Sequence, residues 1–272
     1  MTDHTTETWR DLLEELLSKG KEVAPTSLGG DWRGRTTREI VACRSTVPMA
    51  QPLLLCPGRK LGYRFAVAEA AWILSGDNRL ATIRPYAKQL TSLSGDGRTL
   101  MDAYGPPFVD QVPYVYNCFK QDPATRQAVI TTWRPRPASG TAVPCTLTLQ
   151  FLVRSAMMDC VVGMRSSDVW MGLPYDWFAF SMMAAFTALA LRPVIGSVGL
   201  GDLTVFAGSQ HIYRIDWDVA AECVTRSNDD LVGQPQPLNL DEFKDPDDLI
   251  EHLWRLARKE PIERSFLNGF IS

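Results

Sequence analysis

Val143-Pro144-Cys145-Thr146-Leu147-Thr148-Leu149-Gln150-Phe151, and then Met164-Arg165-Ser166-Ser167-Asp168-Val169-Trp170-Met171-Gly172-Leu173-Pro174-Tyr175-Asp176-Trp177-Phe178, is the stretch that decides the fold. From Thr146 to Val153 the side chains alternate. Thr146, Thr148 and Gln150 point one way and Leu147, Leu149, Phe151 and Val153 the other, the period of a half-buried strand. Cys145 stands at the mouth of that strand, directly after Pro144. A second strand is expected over Asp159 to Met164, running into Arg165. A helix opens at Pro174, because proline lacks only an N–H that a first helical turn leaves unpaired anyway. One thiol, one arginine and two acids, Asp168 and Asp176, thus fall at the ends of adjoining elements.

Working outward, Glu7 to Lys19 places Trp9, Leu12, Leu13, Leu16 and Leu17 at helical spacing and stops at Gly20. Gly62 to Leu74 is a second helix, almost wholly apolar except for Glu69. A carboxylate among so much apolar surface is costly unless it is paired or functional, or lies on the exposed face. Asn78 to Lys88 reads as a helix, Ser92 to Arg98 as a polar loop and Ala128 to Trp133 as a strand. Val194 to Phe206 reads as a strand pair turning at Gly201-Asp202. Asp229 to Pro246 is a Pro- and Asp-rich connection with a short strand, and Asp247 to Arg258 is a late amphipathic helix.

Composition narrows the function classes. The 272 residues carry a net charge of −3, so bulk charge implies no surface for nucleic acid. No run of about eighteen apolar residues predicts a membrane span, and the polar N-terminus does not read as a signal peptide. The six cysteines lack CxxC spacing and read as reduced thiols of a cytoplasmic protein. Three scattered histidines give no metal site, so none is expected.

The pieces Pro144-Cys145, Gln150-Phe151, Arg165-Ser166-Ser167-Asp168 and Gly172-Leu173-Pro174 resemble the thymidylate synthase superfamily in both order and spacing. So do Glu69-x-x-Trp72-x-Leu74-x-Gly76-Asp77, Tyr104-Gly105 and His211-x-Tyr213. Where the synthases have Asn after Gly-Leu-Pro-aromatic, this chain has Asp176, the mark of the cytidylate hydroxymethylase branch. The resemblance implies a single α/β (α+β) domain over residues 1–272, with a mixed twisted sheet, flanking helices and sheets packed back to back in a homodimer.

It also implies roles. Cys145 would be the nucleophile and Arg165 its source of positive charge and a phosphate contact. Arg33, in an Arg-Gly-x-x-Thr-x-Glu element, would bind phosphate, as would Arg126 across the dimer interface. Gln127 stands where the synthases have a second arginine, with Arg134 and Arg136 nearby. Glu69 would place water and assist proton transfer. Asp168 would contact the folate, Asp176 would read the base, and Ser166, His211, Tyr213 and Tyr104 would line the nucleotide site. Taken alone, each residue has a plainer reading. Cys145 could be an inert buried thiol, Asp176 an acid favoured by the helix dipole, Arg33 part of a solvated basic loop, and His211 a core histidine.

The expected activity is 5-hydroxymethylation of dCMP or CMP, with 5,10-methylenetetrahydrofolate as one-carbon donor and no metal. A thymidylate synthase-like methylase of dUMP or dCMP is the alternative. A non-catalytic nucleotide- or RNA-binding regulator is the alternative of another class. The partners expected are a pyrimidine nucleoside monophosphate, folate and a second copy of the chain, with no membrane and no nucleic acid.

Overall fold

The computed structural model describes residues 4–26, 35–134, 143–226, 231, 233, 235–262, 265–267 and 270. The first helix, α1 (His4–Lys19), starts before the expected Glu7 because Thr5 and Thr6 anchor it. Thr5 Oγ1 donates to Gln51 O at 2.6 Å, and Thr6 Oγ1 accepts from Leu55 N at 2.9 Å. Its apolar stripe of Trp9, Leu12, Leu13 and Leu16 is buried.

The chain continues through β1 (Lys21–Val23), β2 (Thr37–Pro48), α2 (Tyr63–Leu74), α3 (Leu80–Ile83), α4 (Gly105–Gln121), β3 (Val129–Thr131), β4 (Thr146–Arg154), β5 (Met157–Met164) and β6 (Ser167–Asp168). It ends with α5 (Leu173–Ile195), β7 (Gly199–Tyr213), α6 (Trp217–Thr225) and α7 (Pro246–Ala257). The strands form one mixed sheet in the order β1-β2-β7-β5-β4-β3, with β6 beside β7. Strand β7 is antiparallel to β2 and parallel to both β5 and β6. Met158, Cys160 and Val162 of β5, with Leu149 and Phe151 of β4, face the core under α5. α5 is long and apolar enough to cross a membrane, but 67% of its most apolar window is buried inside the protein.

Four expectations need correction. The strand pair over Val194–Phe206 is the end of α5 followed by one long strand, and Gly201-Asp202 is no turn. Asp202 N instead donates to Asp159 Oδ1 at 2.9 Å, and a Cβ at Gly201 would collide with that carboxylate. Asn78–Lys88 forms only the single turn of α3, then a 3₁₀ segment over Lys88–Leu93. Pro85 lacks the N–H that would continue the helix. The connection before α7 has a 3₁₀ turn at Leu240–Glu242, and no strand among its described residues.

Lastly, Thr146 is fully buried rather than sharing the outer face of Thr148 and Gln150. A bulge between Thr146 and Thr148 sets two residues of β4 against one step of β5. Such bulges re-aim side chains at a strand end.

Helix α4 begins with Gly105 packed on backbone. A Cβ there would lie 2.9 Å from both Asp77 O and Ile73 O. Gly105→Ala should therefore destabilise the protein by about 1–3 kcal/mol. The expected readout is a lower urea midpoint with an unchanged denaturant slope.

Candidate active site

The register of β7 assembles the site. β5 pairs with β7 as far as Met164–Ala207, and β6 resumes at Ser167–Gln210 and Asp168–His211. Between them Arg165 O accepts from Ser209 N at 3.2 Å. A Cβ at Gly208 would approach that carbonyl to 3.0 Å, so glycine permits the crossing. Ser166 Oγ then lies 3.4 Å from His211 Nδ1, and the His211 and Tyr213 rings meet edge to face at 5.3 Å.

Cys145 is tied to this crossing from the other side. Its carbonyl accepts from Arg165 N at 2.8 Å. The Arg165 guanidinium donates through Nε to Pro144 O and through Nη2 to Val143 O, both at 2.9 Å. The arginine thus fixes the residues leading into the thiol. Burial raises the Cys145 thiol pKa. Arg165 opposes the rise, while Asp176 and Asp168 add to it. The Arg165 charge lowers the thiol pKa, but burial outweighs it.

The acids form a ladder. Burial, reinforced by the charge of Asp176, pushes Glu69 up to about 8. Glu69 is only partly accessible and does not lie on an exposed helix face. Burial, with Asp168 adjacent, pushes Asp176 up to about 7. Asp176 sits in the first turn of α5, with Gly172 close enough that a Cβ would lie 3.6 Å from its Oδ2. Burial also raises Asp168, against the opposing pull of His211. Asp168 Oδ1 accepts from Trp170 N at 2.9 Å and Met171 N at 3.0 Å, which fixes the carboxyl in its turn. Burial lowers the pKa of His211, favouring the neutral ring, and raises that of Tyr213. Tyr104, just before α4, is raised by burial and by Asp176 and Cys145, and its ring lies 6.4 Å from that of Phe180. Among the described residues no group of three His, Cys, Asp or Glu is arranged to hold a metal ion.

The structure therefore brings together Cys145, Arg165, Ser166, Asp168, Asp176, Glu69, Tyr104, His211 and Tyr213. It does not bring Arg126 to them. That residue is exposed, and its carbonyl accepts from Gln150 Nε2 at 2.8 Å. Arg33 and Arg136 lie outside the described residues. Sequence reasoning passed over two neighbours. Arg59 donates through Nε to Trp170 O at 2.7 Å, with its guanidinium 5.3 Å from the Trp170 ring. Asp216 is pushed up to about 6 by burial and by Asp168, with Arg59 opposing. Its position three residues past Tyr213 was the only available signal.

The fold sets a thiol and a group of recessed acids close together, and the family of the chain makes it a folate-dependent one-carbon transferase. The chain belongs to the thymidylate synthase family, whose model, described as thymidylate synthase, matches residues 7–249. It has the thymidylate synthase-like fold. Its reaction is one-carbon transfer to a pyrimidine nucleotide, with methylenetetrahydrofolate as co-substrate.

A carboxyl whose pKa is raised on folding binds more protons folded than unfolded. Its contribution is full below the unfolded pKa and is lost as pH rises through the folded value. For Glu69 that window runs from 4.5 to about 8. Glu69→Gln should thus match the parent near the bottom of the window and exceed it above, by several kcal/mol at the top, about 1.4 kcal/mol per pH unit. Urea unfolding at the two ends of the window, at one protein concentration, measures this.

Proposed function

We propose that the protein is a cytidylate 5-hydroxymethylase acting on dCMP or CMP. The observation that carries this reading is Asp176, a recessed carboxyl held near half-protonation at neutral pH. Cytosine offers an acceptor at N3 and a donor at its exocyclic amine. A protonated carboxyl meets both, its O–H donating to N3 and its other oxygen accepting from the amine. Uracil offers the reverse pattern and suits an asparagine amide.

Cys145 is the nucleophile of this reading. Its thiol transfers a proton, adds to C6 and enriches C5 in electrons. Burial keeps the free thiol protonated, so the sulfur gives up its proton as it adds to C6, with the nearby Arg165 charge favouring the thiolate. Arg165 Nη1 is the nitrogen left for a phosphate oxygen, and Arg33 is a second phosphate ligand.

Asp168 fits the folate ring. Its Oδ1 is committed to its own turn, leaving Oδ2 to accept from a ring N–H. The folate supplies the one-carbon unit. C5 bonds to that one-carbon unit and then loses its proton as the carbon–nitrogen bond breaks and tetrahydrofolate leaves; the exocyclic methylene on the nucleotide takes up water, and Cys145 then leaves C6. Glu69 holds a proton at neutral pH, which suits it to position that water and to exchange protons with it. Tyr104, Ser166, His211 and Tyr213 line the nucleotide side.

The working unit is a homodimer. Helices cover one face of the sheet. The other carries Thr148, Gln150, Val161, Thr204 and Phe206, none fully buried and Phe206 48% exposed. Back-to-back pairing there would carry Arg126 towards the partner's phosphate site.

Incubation with methylenetetrahydrofolate and each of dCMP, CMP, dUMP and UMP, with product mass as readout, tests the activity. A hydroxymethylated cytidylate is expected. A methylated product with dihydrofolate would instead establish a synthase-like methylase, and tight nucleotide binding without turnover a regulator. Asp176→Asn should lose most cytidylate activity and turn preference to the uridylate of the same sugar. A buried unpaired group costs about 1–3 kcal/mol, roughly ten- to a hundredfold in the kcat/KM ratio. If Asp176 served only the helix dipole, thermal stability would fall modestly and base preference would stay unchanged. Separately, mixing Arg126→Ala and Cys145→Ala chains should restore part of the activity through hybrid sites. Two stable mutants that exchange subunits without complementing would remove Arg126 from the partner's site.

A further inference from the structure

Away from Cys145, the 3₁₀ turn Pro57–Arg59 packs against the end of α6. Cys56 and Cys223 meet there, 3% and 0% exposed, and their thiols hydrogen-bond. Gly58 makes the approach possible. A Cβ at that position would stand 2.6 Å from Cys223 Sγ and 3.2 Å from Arg226 Nε. Arg10 hydrogen-bonds Cys56, and both Arg10 and Arg226 bear electrostatically on Cys223.

The hydrogen bond from Cys223 is the largest influence on Cys56, and its thiol pKa falls to about 6, while Cys223 moves up. The shared hydrogen bond eases loss of the proton from Cys56 and holds the proton on Cys223. Cys145 and Cys160, by contrast, are both raised by burial. Arg10 and Arg226, which bear on the pair, also line a cleft of about 260 Å³ with Glu7, Asp11, Glu14 and Val224.

We propose that Cys56 and Cys223 are a site of reversible oxidation, at which a peroxide converts the hydrogen-bonded pair into a disulfide joining the Pro57–Arg59 turn to α6. The Cys56 thiolate attacks one peroxide oxygen. The O–O bond breaks, hydroxide leaves and takes up a proton, and Cys56 becomes a sulfenic acid. The Cys223 sulfur attacks the sulfenic sulfur, the S–O bond breaks, and water leaves with the thiol proton. Two thiols and one hydrogen peroxide thus yield one disulfide and two waters. The turn that becomes fixed carries Arg59, which donates to the Trp170 carbonyl beside Asp168. Oxidation therefore acts on the segment that borders the folate side of the site.

The test treats the full chain with hydrogen peroxide at neutral pH, removes the oxidant with catalase and alkylates remaining thiols under denaturing conditions. Peptides are then mapped without reductant. The expected product is a Cys56–Cys223 cross-linked peptide pair, two hydrogens lighter than the separate thiol peptides. It should form before Cys145 is oxidised and vanish on treatment with dithiothreitol. Closing so long a loop should also raise Tm by roughly 5–10 °C, a gain absent from Cys56→Ser and Cys223→Ser. Recovery of both cysteines as alkylated peptides after Cys145 has been oxidised would overturn the proposal. So would a Cys56 sulfinic acid without any cross-link. Should either serine variant fail to fold, the peptide map of the parent chain decides alone.

Discussion

Ser209 donates its N–H to the Arg165 carbonyl, and Gly208 has no Cβ to obstruct that approach. Much of the site depends on this one close crossing over β7. It carries the chain from β5 through Arg165 and Ser166 to β6, beside β7 and in unchanged register. Ser166 and Asp168 are thereby set beside His211. The Arg165 side chain turns back on the Val143 and Pro144 carbonyls and fixes the approach to Cys145. Two segments of opposite direction, the entry to β4 and the exit from β5, are thus held by one residue's backbone and guanidinium together.

The electrostatics follow from how deeply these groups are set. Asp168, Asp176 and Glu69 are each pushed upward, chiefly by burial and, for Asp176 and Glu69, further by a neighbouring acid. Such a ladder makes each acid hold its proton to higher pH than a solvated carboxyl would. Protonated carboxyls donate as well as accept, which widens what they can recognise. The same burial suppresses ionisation of Cys145 in the free protein.

Much of the outline was legible in the chain. Strand β4, the start of α5 and helices α1, α2 and α7 follow from side-chain period, proline placement and glycine stops, which are local properties. Most of the site residues fell on those elements and converge. Misreadings came where a distant partner overrode the local pattern. Gly201 and Asp202 look like a turn until Asp159 is seen to pair with them. Thr146 looks exposed until the bulge turns it inward. Arg59 and Asp216 carry no motif, and they matter only because folding sets them against Trp170 and Asp168.

By itself, the sequence determined the candidate thiol, arginine and acids and most of the elements that carry them. Residue type and spacing are written along the chain. The tertiary structure alone decided how those residues are charged. The raised pKa values of Glu69, Asp176 and Cys145 and the lowered one of Cys56 each depend on burial and on partners far away in sequence. Desolvation and Coulomb forces act through space, so they take their values only once the chain has closed around these groups.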